Sequence, residues 1–563
     1  MDFQVFLDIA VVALRLLLPV YAIAIIYQCF ASMRRHRRPE KPLVTLELKK
    51  TGQQVPVLFW ENSIGRSKGS DICVRDPAVS REHCVLLRRQ EGWMVSDIGS
   101  KGGTYVNGRR TRDRTQVLID DEITVGATTF VLKRGDEFQD RIRPSWFFSK
   151  ASNKGSLQPY KLMMLITFFQ IFMTVEACFT NDVQDYEPVK MFVLLQLVSW
   201  GFFLVSYLAF DRINFELEAL ALFLTGIGVM LLVRQNMRSA YVQLIAATIG
   251  IALFCFIVKI IENPDRVNSW RMIIMVGAVG LLGINLLFGT VTYGAQNWIQ
   301  IGSITVQPSE FVKVAYIFVG ASALDRLQTK RNFLEFIVFS AVCVGALALM
   351  GDFGTALIFF TTFLLIAFMR SGDVKTIMLA LVAVVFAGSL VLRFKPYVAD
   401  RFSTWGHAIE YSQTGGYQQA RVLTYTASGG LSGVGVGNGY LKYVGASESD
   451  LVFGLVAEEM GVIVAFSIAI AIVALAFYAR AITTRSRSTF YSISACCAAG
   501  LMVIQAALNI FGATDILPLT GVTLPFISAG GSSMISCWGL LAFIKAADER
   551  TYSSRRLKRH NDE

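Results

Sequence analysis

The sequence predicts a polytopic, all-α membrane domain with a small all-β domain inserted near its N-terminus. Three observations carry this. Of 563 residues, 53% are hydrophobic and only 17% charged, more apolar and less charged than soluble domains usually are. The charge is unevenly spread: residues 34–150 hold 23 Lys+Arg and 15 Asp+Glu, whereas the other 446 positions hold only 57 charges. Outside that region the chain is a succession of apolar runs long enough to cross a bilayer, which takes about 20 residues per helix. A single soluble domain and a disordered chain are both excluded.

The first apolar run, 5–30, is followed at once by Arg34, Arg35, Arg37 and Arg38. A signal peptide has its basic residues before the apolar run, so residues 1–33 read as an anchor helix. Its basic flank places the N-terminus outside and the linker 34–42 in the cytoplasm. Twelve further runs lie near 159–180, 191–210, 217–233, 241–261, 271–289, 309–324, 334–350, 354–369, 376–394, 453–478, 488–512 and 525–546. Alternating sides puts Arg326, Lys330 and Arg331, then Arg370 and Lys375, then Arg480, Arg485 and Arg487 inside, with the tail 547–563. Each meets the positive-inside rule, which supports thirteen spans. The longest outside segment, 395–450, is rich in Gly, Tyr and Ser, and long loops of this kind tend to carry function.

Between 43 and 135 the chain reads as short β-runs broken by turns (LVTLEL, VPVLFW, HCVLLRR, GWMVSDI, TYVNG, QVLID, DEITVGATTFVLK), which predicts a β-sandwich. Its motifs, Gly65-Arg66, Ser80-Arg81-Glu82-His83, Asp97 to Thr104 and Asn107-Gly108, resemble the forkhead-associated (FHA) domain. That resemblance implies a phosphothreonine site in which Arg66 contacts the bound segment, Ser80 and Arg81 hold the phosphate and Asn107 contributes. A phosphate dianion suits a guanidinium fork with hydroxyl and amide donors. The resemblance gives His83 a bracing role. The family's Asn-Gly-Thr is Gly102-Gly103-Thr104 here, so a peptide-contacting asparagine is absent. A linker, 136–158, and two extra spans within 159–216 follow.

From 217 to 546, five blocks stand in order: GAQNWIQIGSITVQPSEFVK (294–313), GDFGTALI (351–358), RF and GGYQQARVLTYTASGGLSGVGVGNG (401–439), SDLVFGLVAEEMG (449–461) and PLTGVTLPFISAGGSS (518–533). Together they resemble the FtsW/RodA/SpoVE family, the SEDS proteins of shape, elongation, division and sporulation. The resemblance implies a SEDS-like domain of ten core helices, with three extra N-terminal spans. It also implies a peptidoglycan glycosyltransferase that polymerises lipid II at the outer face of the cytoplasmic membrane, with a class B penicillin-binding protein as transpeptidase partner. A non-catalytic scaffold recruiting phosphorylated division factors and a lipid II flippase are the competing readings.

Ionisable residues inside a membrane are costly and point to function. Glu310 and Lys313 are three apart on one helical face and can pair. Asp352 suits a helix N-terminus. Glycosyl transfer needs a base for the acceptor hydroxyl, cations for the leaving pyrophosphate and a lipid groove. The resemblance places the base in the large outside loop, shortly before the Gly-Tyr-Gln block. Aligned without gaps, that position is Tyr411, so the adjacent Glu410 is the expected base. The family's paired arginines before Trp-Ile are Gln296 and Asn297, which leaves Arg401, Arg421 and Lys442 to meet the pyrophosphate. Gln418 and Asp450, with Glu310, Lys313 and Asp352, complete the expected lipid II site. No resident cofactor is required, and a divalent cation at the pyrophosphate is compatible with the chemistry.

The formal charge of +11 does not point to nucleic acid. Residues 34–150 carry +8, the segment after Ile544 carries +2, and the outside loop is neutral. The excess follows membrane topology, with a patch for phosphorylated partners made by a Ser/Thr kinase. Four scattered histidines and nine unpaired-looking cysteines offer no zinc pattern.

Overall fold

The computed structural model describes residues 3–35, 44–135, 159–371 and 396–548, apart from short interior stretches, with isolated positions between 378 and 393. The span expected at 376–394, the linkers and the tail lie outside the described residues. After α1 (Phe3–Arg35), eleven strands build a two-layer sandwich. The strands are β1 (Val44–Leu48), β2 (Gln54–Val57), β3 (Glu61–Gly65), β4 (Ile72–Cys73), β5 (Cys84–Arg89), β6 (Gly92–Asp97), β7 (Thr104–Val106), β8 (Arg109–Arg110), β9 (Thr115–Val117), β10 (Glu122–Val125) and β11 (Thr128–Arg134). One sheet has the order β2-β1-β11-β10-β7-β8 and the other β4-β3-β5-β6-β9. Alternate residues such as Leu46, Leu86, Val95, Ile123, Phe130 and Leu132 fill the space between them.

The membrane domain is helical as predicted: α2 (Pro159–Cys178), α3 (Glu187–Phe210), α4 (Glu216–Val233), α5 (Met237–Ile260), α6 (Pro264–Phe288), α7 (Pro308–Ala323), α8 (Lys330–Leu349) and α9 (Phe353–Ser371) precede the large loop. Within that loop run α10 (Pro396–Thr404) and α11 (Tyr417–Gly429). After it come α12 (Val452–Glu459), α13 (Val462–Thr483), α14 (Thr489–Ala513) and α15 (Gly531–Ala547). Nine helices among the described residues are long and apolar enough to cross a membrane. Helix α4 is wholly buried and apolar beyond its first turn, where Glu218 pairs with Lys545 of α15 at 2.7 Å and Glu216 accepts from Ser32.

Three features depart from the sequence reading. The expected span 453–478 is two helices, because Gly461 takes φ +88° and abuts the Leu431 carbonyl, where any Cβ would lie 2.2 Å from the oxygen. The expected span 525–546 begins as helix only at Gly531. Before it, 518–530 runs as non-helical backbone into the bundle, with Val522, Leu524, Phe526 and Ile527 buried. Such backbone survives at depth only where protein satisfies it. Here Gln243 donates to Ser528 O at 2.9 Å and accepts from Gly530 N at 3.1 Å. Third, 290–306 forms a three-stranded antiparallel sheet, β12 (Thr290–Thr292), β13 (Ala295–Ile301) and β14 (Ile304–Val306), between α6 and α7.

Candidate functional site

A continuous polar seam crosses the apolar bundle. It starts on α7, where Pro308 opens the helix and Glu310 and Lys313 stack one turn apart. Lys313 Nζ donates to Glu310 Oε1 at 2.8 Å and to Gln505 Oε1 on α14 at 2.9 Å. Ser536 on α15 donates to Glu310 Oε2 at 3.0 Å. Gln505 in turn donates to the carbonyl and hydroxyl of Thr523, both at 2.9 Å. Thr523 meets Ser533 at 2.7 Å. The re-entrant segment is therefore held by the same side chains that solvate the ion pair, as a buried pair requires.

Toward the large loop the seam continues through Asp352. Its Oδ1 accepts Thr355 N at 3.0 Å and caps α9, while Oδ2 accepts Asn297 at 3.2 Å and Gln307 at 3.3 Å. Asp450 closes this end. Its carbonyl accepts Asn509 Nδ2 at 2.9 Å, and the same amide donates to Val522 O at 2.7 Å. Gly521, at φ +71°, lets the chain approach Asp450 Oδ2, where an added Cβ would sit at 3.5 Å. Burial holds the Asp450 carboxyl above the usual carboxylate range. Ser449's hydroxyl and the Arg401 charge oppose that, and the Asp352 charge reinforces it. Arg401 is itself fixed by a 3.0 Å bond to Leu519 O.

The other predicted residues lie elsewhere. Glu410 is exposed, in the irregular turn between α10 and α11. Among the described residues no hydrogen bond or ion pair joins it to the seam. Arg421 stacks over Tyr417 at 5.2 Å. Gln418 donates to Gly445 O at 2.9 Å, and Lys442 to Gly437 O at 2.5 Å, so both brace the loop. The glycine-rich segment wraps the end of α12: Glu458 accepts Tyr440 N and Leu441 N, and Glu459 accepts Gly437 N. Those two carboxylates bind backbone and do not face the seam. On its far side this segment meets the N-terminal helices, where Arg15 pairs with Glu176 at 2.7 Å beside Gly435.

At the end of β3 in the sandwich, Gly65 allows the Arg81 carbonyl to approach to where a Cβ would be only 2.3 Å away. Arg66 N donates to Ser80 O at 2.9 Å, and the Ser80 hydroxyl accepts Lys101 N at 3.0 Å. His83 accepts from Ser80 N through Nδ1 and lies 3.1 Å from Gly103 O through Nε2, bracing the loop as expected. Arg66 and Arg81 are exposed beside it. Asn107 sits at φ +49° in the β7–β8 turn, with its amide spent on Asp121 and Glu122. Exposed Arg110 covers Gly103, where a Cβ would lie 2.7 Å from its Nε.

A family model described as "Cell cycle protein", that of FtsW, RodA and SpoVE, matches residues 220–553. The chain belongs to this family. An FHA-domain model matches residues 62–126. The peptidoglycan glycosyltransferase RodA of Mycobacterium leprae is 25% identical over 436 residues, covering 71% of this chain and 92% of its own. The probable peptidoglycan glycosyltransferase FtsW of Bacillus subtilis is 28% identical over 322 residues, 54% of this chain and 79% of its own. A solved chain from a peptidoglycan synthase complex has the same fold, with a TM-score of 0.50, 22% identity, and coverage of 59% of this chain and 96% of its own.

The FtsW/RodA/SpoVE region thus begins inside α4, and the seam lies wholly within it. The chain is a multi-pass membrane protein that carries its FHA domain between α1 and α2. Sequence reasoning missed Asn297, Gln307, Gln505, Asn509 and Thr523 as members of the seam. Gln505 and Asn509 were visible in principle, as amides four apart on one face of an apolar helix. Among the described residues no three His, Cys, Asp or Glu side chains are grouped to hold a metal.

Proposed function

We propose that this chain is a peptidoglycan glycosyltransferase that polymerises lipid II on the side of the large loop, outside the cytoplasmic membrane, with the FHA domain and C-terminus inside. The observation that carries the mechanism is Asp450, half-buried at the head of the seam and within electrostatic reach of Arg401 and Asp352. Glu410 is exposed, in a turn that Asp515 holds by accepting from Gly406 N and Ala408 N away from the seam, so in this reading the base role passes from Glu410 to Asp450. Asp450 takes the proton of the acceptor's 4-hydroxyl as that oxygen attacks the donor's anomeric carbon. The new C–O glycosidic bond forms as the bond to undecaprenyl pyrophosphate breaks, and the pyrophosphate leaves with the bonding pair. Arg401 supplies positive charge for it. A carboxylate whose pKa is raised by burial is a stronger base than a solvated one.

The partners follow from the same reading. A relative's fold comes from a complex described as coordinating polymerization and crosslinking, which supports a class B penicillin-binding protein as partner. Arg66, Ser80 and Arg81 take a phosphothreonine written by a Ser/Thr kinase. Arg110, standing over Gly103 next to Gly102, where the family places asparagine, gives that site a preference for acidic flanking residues. The test is lipid II polymerisation by the purified chain with its transpeptidase. Glycan strands from wild type and Glu410→Ala, but not from Asp450→Asn, support the reading. Equal strand synthesis by Asp450→Asn overturns it, and no strands from wild type under conditions where a sister enzyme makes them favours the scaffold.

A further inference from the structure

Helix α14 connects the FHA domain to the seam. Its N-cap, Ser488, is extended (φ −156°, ψ 164°), and its side chain makes no capping bond. A helix start leaves its first amides without intrahelical partners. Here the partner comes from the other domain: Thr489 N donates to Glu61 Oε2 at 3.0 Å, across 428 residues of sequence. Glu61 is only 5% exposed, and a carboxylate at a helix N-terminus is further favoured by the helix dipole. The FHA domain is therefore seated on the membrane domain through one end of β3.

The opposite end of β3 is the phosphothreonine end. Glu61 opens the strand and Arg66 follows its last residue, so at about 3.3 Å per residue the two ends are separated by roughly 15 Å. A bound phosphoprotein can reach Arg66, Ser80 and Arg81 without displacing the seat. At the far end of α14, Gln505 and Asn509 lie about 24 and 30 Å along the axis from Thr489, at 1.5 Å per residue. Gln505 bonds Lys313 and Thr523, and Asn509 bonds the Asp450 carbonyl. The helix between is 25 residues long with no proline. One rigid element thus carries the FHA seat at one end and the backbone of Asp450 at the other.

We propose that Glu61 is a docking and positioning residue, and that a phosphothreonine ligand on the FHA domain is read at the Asp450 end of the seam through α14. The contact is a statement about this chain's own geometry. Only its consequence for rate rests on Asp450 being the base.

A single substitution isolates the contact. Thr489→Pro removes the donating N–H, at a first helical position where proline is well accommodated. The residue before a proline must be extended, and Ser488 already is. The experiment is hydrogen exchange on the full chain in nanodiscs, with and without a phosphothreonine peptide pool flanked by aspartates. In wild type, the peptide is expected to change exchange at least twofold both at the start of α14 and at 446–451. Thr489→Pro should bind the peptide with unchanged affinity and lose the distant change, while Thr489→Ser, which keeps the N–H, should retain it. A wild-type response confined to the FHA domain overturns the proposal, as does a wild-type-like distant response in Thr489→Pro. Because the readout is exchange rather than glycan synthesis, failure here is distinct from failure of Asp450→Asn to lose activity.

Discussion

Lys313 Nζ lies 2.8 Å from Glu310 Oε1 with the lysine wholly buried and the glutamate 3% exposed. Two charges so placed stabilise each other only while both remain and their other donors and acceptors are occupied. Lys313→Met leaves Glu310 uncompensated beside Ser536 and should cost about 3–5 kcal/mol. Glu310→Gln leaves the ammonium with two amide oxygens and should cost less. The double variant Glu310→Leu with Lys313→Met should recover most of the thermal stability in detergent without recovering glycan synthesis. Recovery of both would reduce the pair to a helix lock.

The Asp450 carboxyl, raised by burial, sets the acid limb of the expected pH–rate profile. A base acts deprotonated, so activity should fall as pH drops through the raised value. Asp352→Asn removes a charge that pushes Asp450 up, and should shift the acid limb to lower pH. Arg401→Ala removes a charge that pulls it down, and should shift the limb to higher pH while slowing turnover. Loss of the base itself in Asp450→Asn should cost on the order of 10²–10⁴-fold in rate. Parallel pH profiles for all variants would separate Asp450 from the chemistry.

Much of this architecture is legible in the chain. Apolar run length and the placement of arginines locate the helices, and the spacing of Glu310 and Lys313 announces their contact. The re-entrant segment is not legible, because 525–546 is apolar on average and hydropathy cannot distinguish helix from backbone satisfied by Gln243, Gln505 and Asn509. The break at Gly461 is hidden for a related reason: it exists because Leu431 packs there, a contact set by tertiary structure. The proposed move of the base from Glu410 to Asp450 was not legible, because alignment compares neighbours in sequence. Asp450 meets Asp352 and Arg401 only when the large loop folds back over the seam.

Two glycines of the large loop should respond differently to alanine. At Gly433 (φ +85°) a Cβ would meet the Glu459 carbonyl at 2.2 Å, which is backbone and cannot step aside. Gly433→Ala should fail to assemble the loop, seen as lost protein on purification or a large drop in Tm. At Gly435 (φ +108°) the Cβ would meet Arg15 Nη2 at 2.4 Å and Asn438 at 2.9 Å, both ends of side chains. Gly435→Ala should cost about 1–3 kcal/mol through backbone strain and displacement of Arg15 from Glu176. In an Arg15→Ala background its further cost should shrink toward the backbone term of about 1 kcal/mol, and a double-mutant cycle measures the difference.

The FHA end separates phosphate capture from flank selection. Arg66 and Arg81 stand beside Ser80, whose hydroxyl is oriented by Lys101 N, whereas Arg110 stands over Gly103. Arg66→Ala should abolish binding of phosphothreonine peptides by the full chain, because a charge-assisted contact to the dianion is lost. Arg110→Ala should leave a neutral-flanked phosphothreonine peptide bound as before and weaken an aspartate-flanked one by about 5- to 10-fold, roughly 1–1.4 kcal/mol. Gly103→Ala places a Cβ 2.7 Å from the Arg110 Nε, so it should displace the guanidinium and abolish the acidic preference. Fluorescence anisotropy with the two peptides reads all three variants. Equal weakening of both peptides by Arg110→Ala would assign that arginine to the phosphate instead of the flank.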